Sequence, residues 1–187
     1  MKVLILGGTG FIGKHLVKLL TEPRYDVTLA SRTASLYFPN INTITLDRNN
    51  PTDLNLGFFD IAVDLSCYSL VHLKNIINSF NCNKFIFISS MAVTHASSLK
   101  DKELLYATEK NNCEAFIIKH IRNYTIIRPG YVLGEDGTRN RFYVKDSKYF
   151  WKKNNLEVTE SILVEDLAWH IKDSFINNNR CIKLCIT

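Results

Sequence analysis

The 187 residues are 46% hydrophobic and 22% charged. That is a globular composition, not a disordered one, and it suits one domain able to bury about 70% of its extended surface. The net charge of +5 is modest and the basic residues are scattered, which argues against nucleic acid while helping to attract an anionic ligand.

No apolar run reaches membrane-spanning length, and the first residues lack the form of a signal peptide. Five cysteines, at 67, 82, 113, 181 and 185, include no Cys-x-x-Cys pair and read as reduced, mostly buried thiols. The five histidines lack metal-ligand spacing with them, so no metal site is expected. The expected location is the cytoplasm.

Lys2–Leu6 is an apolar run that reads as a fully buried strand, and glycines at 7, 8, 10 and 13 crowd its end. A helical pattern follows, with Phe11, Ile12, Leu16, Val17, Leu19 and Leu20 on its apolar face. Strand, glycine turn and helix start together form the context of a dinucleotide-binding fingerprint. Gly7 turns the chain off the strand, Gly10 lets the backbone approach a pyrophosphate, and Gly13 lets the helix pack closely. The amides and positive dipole end near Thr9, Gly10, Phe11 and Ile12 face the phosphates.

Asp26–Ser31 is the second strand, after a turn containing Pro23; the spacing fits a βαβ unit. An NAD site usually places an acid at this strand end, to take the ribose hydroxyls. Here the chain reads Ala30-Ser31-Arg32-Thr33. Arg32 could bind a 2′-phosphate through its fork of donors, so the expected cofactor is NADP, with NAD as the alternative. Residues 42–46 read as a third strand ending at Asp47, and Pro51–Gly57 as a short helical turn.

Residues 60–66 read as the fourth strand. Its end, at Leu65 and Ser66, should lie beside the cofactor, because open α/β sheets bind ligands outside the carboxyl ends of their strands. Asp64 inside that strand needs a sheet edge or a hydrogen-bond partner. Residues 70–80 have helical period, with Leu70, Leu73, Ile76, Ile77 and Phe80 inward. Residues 83–90 form a strong fifth strand ending in Ser89-Ser90-Met91-Ala92-Val93.

Residues 102–121 read as a helix that carries Tyr106, Lys110 and Glu114 on one face. Residues 123–128 form a sixth strand, closed by Pro129-Gly130, and 131–137 a loop. The stretch 138–156 is aromatic and basic. Residues 161–164 form a short strand, 164–178 an amphipathic helix with Leu167, Ala168, Ile171 and Phe175 inward, and 181–186 a terminal strand. The fold class is therefore α/β: a Rossmann-type doubly wound parallel sheet with helices on both faces, in one domain over 1–187. Residues 134–187 supply a reduced substrate-binding region.

These motifs closely resemble the extended short-chain dehydrogenase/reductase families, including the NAD-dependent epimerase/dehydratases. The shared features are Gly-Gly-Thr-Gly-Phe-Ile-Gly13, Ser89-Ser90-Met-Ala-Val93, Tyr106 with Lys110 and Glu114, Arg128-Pro129-Gly130, and Val164-Glu165-Asp166-Leu167-Ala168. The resemblance covers nearly the whole chain. It implies an NAD(P)-dependent oxidoreductase or epimerase-like enzyme acting on a small carbonyl, hydroxyl or sugar-type substrate.

On that resemblance Tyr106 exchanges a proton with the substrate while the nicotinamide exchanges hydride at the same carbon. Bringing a tyrosine pKa from near 10 to about 7 needs about 4 kcal/mol of preferential phenolate stabilisation. Lys110, one turn away, supplies positive charge and also holds the nicotinamide ribose. Ser90 orients the substrate oxygen. The resemblance also places Asp47 at the adenine, puts Pro129 among the cofactor-binding residues, and makes Glu114 a structural partner. The expected partner is a small molecule, with a homodimer as an assembly that could complete the pocket. The competing reading is a non-catalytic NADP-binding sensor.

Overall fold

Every residue of Val3–Leu6 is buried, whichever way it points. Val3 and Ile5 enter one apolar layer, Leu4 and Leu6 the other, the pattern of a strand covered on both faces. The computed structural model describes residues 1–32, 38–50, 55–134, 142–145, 148–151, 158–176 and 180–186. In chain order the first half contains β1 (Lys2–Leu6), α1 (Phe11–Lys18), β2 (Asp26–Ser31), β3 (Asn42–Thr45), β4 (Phe58–Asp64), α2 (Leu70–Ile77) and β5 (Asn81–Ile88). The second half contains α3 (Asp101–His120), β6 (Tyr124–Pro129), β7 (Tyr131–Leu133), β8 (Phe142–Lys145), β9 (Lys148–Trp151), β10 (Ser161–Leu163), α4 (Val164–Asp173) and β11 (Cys181–Cys185).

Seven of these strands form one parallel sheet in the order β11-β6-β5-β4-β1-β2-β3. The order reverses between β1 and β4, and at such a switch point the connections diverge and leave a crevice at the strands' carboxyl ends. One face is covered by α1 and α4 through Leu16, Val17, Leu167, Ala168 and Ile171. The other is covered by α2 and α3 through Leu73, Ile76, Cys113 and Ile117. This is the expected Rossmann-type layering.

The elements depart from their expected bounds for local reasons. The fourth and fifth strands each begin and end two residues early. Ser66 N already turns to the Asp64 carboxylate at 3.1 Å, and Ser90 caps a short 3-10 turn by accepting from Ala92 N at 3.2 Å. The expected loop after Gly130 begins as a strand, because β7 pairs with β10 and buries Leu133 and Ile162. An antiparallel β8–β9 hairpin occupies part of the aromatic stretch. Phe175 stays buried although α4 ends at Asp173. Residues 51–54 of the expected helical turn, 135–137 of the expected loop and 177–178 of the last helix lie outside the described residues.

Gly13 packs against the glycine turn itself. A Cβ there would lie 2.5 Å from Gly8 O and 2.6 Å from Gly7 O, both backbone atoms. Gly13→Ala should therefore lower stability by about 1–3 kcal/mol, measured by urea unfolding.

Candidate active site

The site begins where β1 meets α1. Gly7 has φ of +85°, a conformation open to glycine, and its N–H donates to Ala30 O at 2.9 Å. A Cβ on Gly7 would sit 2.6 Å from the Ser66 side chain, so the turn also lies against the end of β4. Gly10 N donates back to Gly7 O, and the first in-helix bond of α1 runs from Lys14 N to Gly10 O. The amides of Phe11, Ile12 and Gly13 precede it, as first-turn amides do, and form a positive helix end.

Two adjoining cavities share Gly7, Gly10, Ser66 and Tyr68 as a common wall. One, of about 560 Å³, is also lined by Thr9, Ala30, Ser31, Arg32, Leu46, Asp47, Arg48, Asn49 and His72. The other, of about 420 Å³, is also lined by Phe11, Ile12, Gly13, Leu65, Ile88, Ser89, Ser90, Tyr106, Lys110, Pro129, Gly130, Tyr131 and Val132. Every residue expected at the site therefore borders this cleft. The structure brings Ser90, Tyr106 and Lys110 together in one cavity, and Arg32 and Asp47 in the other.

Lys110 is buried, and its Nζ donates to Ile88 O at 2.6 Å. The ammonium lies 5.4 Å from the ring centre of Tyr68, 5.9 Å from that of Tyr106 and 4.9 Å from that of Phe87, within cation–π range. Burial pulls its pKa below the ordinary lysine range, opposed by Cys67, Asp64 and Cys113 nearby. Tyr131, at the same cavity, is pushed the other way: burial first, then the carboxylates of Glu103 and Glu160, raise its phenol above the usual range.

The two serines divide cleanly. Ser89 is buried, and its Oγ donates to Glu114 Oε1 at 2.5 Å. Ser90 is half-buried; both serines border the cavity, Ser89 with its hydroxyl on Glu114 and Ser90 with its Oγ accepting from Ala92 N at 3.2 Å.

Asp64 sits in a central strand, and its partner comes from the loop after β3. Arg48 grips it with two bonds, 2.9 and 2.6 Å, and donates a third, at 3.1 Å, to Ser66 Oγ. The sequence demanded a partner for Asp64 without saying which cation supplied it. Asn75 Nδ2 donates to Arg48 O, and His72 Nε2 lies 2.9 Å from Asn49 Oδ1; both tie α2 to this loop, and neither is visible from sequence spacing. Asp47 turns its carboxylate on its own loop, accepting from Asn49 N and Asn50 Nδ2, while still bordering the cavity. His95 pairs with Glu160 at 3.3 Å and does not line the cleft.

The GDP-mannose 4,6-dehydratase family model matches residues 4–97, which is 94 of the 187 residues. No curated protein matches the chain. Several solved structures are similar to it, among them the following three. An oxidoreductase from Lactococcus lactis has 19% identity and a TM-score of 0.69, with 95% of this chain and 86% of that one covered. An anaerobillin reductase from Escherichia coli O157:H7 has 15% identity and a TM-score of 0.70, with 100% and 97% covered. A UDP-glucuronic acid 4-epimerase from Bacillus cereus, in complex with NAD, has 17% identity and a TM-score of 0.68, with 100% and 78% covered. These likenesses establish the shared fold.

A lysine whose folded pKa is lowered binds its proton more tightly in the unfolded chain, so its burial penalty is present at low pH. That penalty lifts as pH rises through the folded pKa. The unfolding free energy of the parent should therefore climb with pH, relative to Lys110→Met, as pH approaches the ordinary lysine range. Paired denaturation curves across that range measure it.

Proposed function

Because the chain belongs to the GDP-mannose 4,6-dehydratase family, of the NAD-dependent epimerase/dehydratase kind, we propose that it is an NADP-dependent oxidoreductase or epimerase-like enzyme. Its substrate is a small carbonyl, hydroxyl or sugar-type molecule. The observation that carries this reading is the single cavity shared by Ser90, Tyr106 and Lys110, continuous with the glycine turn.

The residues fit a dinucleotide. The turn presents no side chain at Gly7 and Gly10, the amides of Phe11 and Ile12 would hold a diphosphate, and the cleft divides into two chambers of nucleotide scale. Thr9, Arg32 and Asp47 would hold the adenosine end; Leu65, Ser66, Lys110 and Pro129 would hold the other. When bound, the nicotinamide supplies hydride chemistry.

The chain's own residues do the rest. Ser90 donates a hydrogen bond to the substrate oxygen and fixes its position. Tyr106 Oη gives a proton to that oxygen in reduction and takes one from it in oxidation. Lys110 lowers the cost of the phenolate by Coulomb attraction in a site shielded from water.

The preference for NADP follows from the adenosine end. Arg48 is already held by Asp64 and Ser66. Arg32 is exposed just after β2 and lines the chamber, which supports it as the group that would meet a 2′-phosphate.

Tyr106→Phe should reduce NADPH turnover with a panel of small carbonyl compounds by about 10²–10⁴-fold, leaving NADPH affinity in calorimetry unchanged. Binding with turnover indifferent to this change would favour a sensor instead. Arg32→Ala should weaken NADPH binding by about tenfold or more and leave NADH binding unchanged. Equal affinity of the parent for both dinucleotides would contradict the preference.

A further inference from the structure

One carboxylate joins the three segments that carry the site. Glu114 is buried on α3, one turn beyond Lys110 and two turns beyond Tyr106. Its Oε1 accepts from Ser89 Oγ at 2.5 Å and from Arg128 Nε at 2.9 Å, and its Oε2 accepts from Arg128 Nη2 at 2.5 Å. Ser89 immediately precedes Ser90 at the end of β5, and Arg128 immediately precedes Pro129, a cavity residue, on β6.

We propose that Glu114, clamped by Arg128 and Ser89, is a positioning residue that sets the axial register of α3 against β5 and so the separation of Tyr106 and Lys110 from Ser90. The proposal rests on the Ser90-Tyr106-Lys110 reading above.

The geometry favours this role over simple stabilisation. A buried ion pair is a weak source of stability, because desolvation offsets its attraction, and apolar residues of similar size often replace it without loss. Its strength is directional. Arg128's planar fork fixes the carboxylate plane, and the serine bond fixes its height beside the strand end. Among the described residues two hydrogen bonds tie α3 to the end of β5 at this level: Ser89 Oγ to Glu114, and Lys110 Nζ to Ile88 O. Without the first, the helix can shift along its axis, and a displacement of about 1 Å at a reacting pair costs about 10²-fold in rate.

The test compares parent, Glu114→Asp, and the double variant Glu114→Leu/Arg128→Met. It measures kcat and KM with NADPH and a carbonyl substrate, NADPH affinity by calorimetry, and the melting temperature. Tyr106→Phe runs alongside. Glu114→Asp keeps the charge but draws the carboxylate back by one methylene. The expected result is a fall in kcat of about 10–100-fold in both variants, NADPH affinity within about twofold of the parent, and a double variant that melts near the parent yet stays slow. A double variant that regains both stability and kcat overturns the proposal, as does Glu114→Asp with parental kcat. A parent without Tyr106-dependent turnover overturns the enzymatic reading itself, and the proposal with it.

Discussion

A cation shielded from water sets the terms for this site. The Lys110 ammonium makes a 2.6 Å bond to a strand carbonyl and sits among three aromatic rings. Such a group is costly to bury, and its lowered pKa records the cost. It is tolerable because the carbonyl and the ring faces offer negative potential where water would otherwise be. The same dryness would strengthen its pull on a phenolate at the cavity wall, since Coulomb interactions grow as the local dielectric falls. What taxes the fold is therefore what could serve proton transfer.

The rest of the architecture brings that pair to the end of the cleft. Strand order reverses between β1 and β4, opening a crevice at the switch point. The glycine turn occupies the floor, and Ser66 packs so near Gly7 that a Cβ would collide with it. Arg48 locks the loop after β3 to Asp64 in the central strand. α3 brings Tyr106 and Lys110 against the end of β5, held through Glu114. Two buried thiols, Cys67 and Cys113, lie in the apolar layer beneath, and Cys67 Sγ donates to Ser69 O at 3.2 Å.

The fold was legible where burial imposes a simple rule. Continuous apolar runs such as Lys2–Leu6 can satisfy two covered faces only as central strands, and the glycine spacing after them has a direct steric meaning. Tyr106, Lys110 and Glu114 share a helix face by spacing alone. The boundaries were less legible, because Ser66 and Ser90 end their strands through local side-chain and backbone bonds that compete with the ladder.

Long-range pairings escaped altogether. Asp64 announced a missing partner, but only the folded sheet brings Arg48, 16 residues away, to it. The short strand at 161–164 was legible, but its partner Tyr131–Leu133 read as loop: their pairing spans about thirty residues, and three residues carry too little periodicity to show a strand. Arg128 was visible only as part of an Arg-Pro-Gly motif; its grip on Glu114 is a property of the packed state.

The most direct measurement is a crystal structure of the protein with NADPH bound. It should place the diphosphate over Gly10–Ile12, the 2′-phosphate at Arg32, and the nicotinamide beside Lys110, with Tyr106 Oη and Ser90 Oγ both within hydrogen-bonding reach of one point above the ring. A nicotinamide lodged elsewhere, or a Tyr106 hydroxyl directed away from it, would contradict the account.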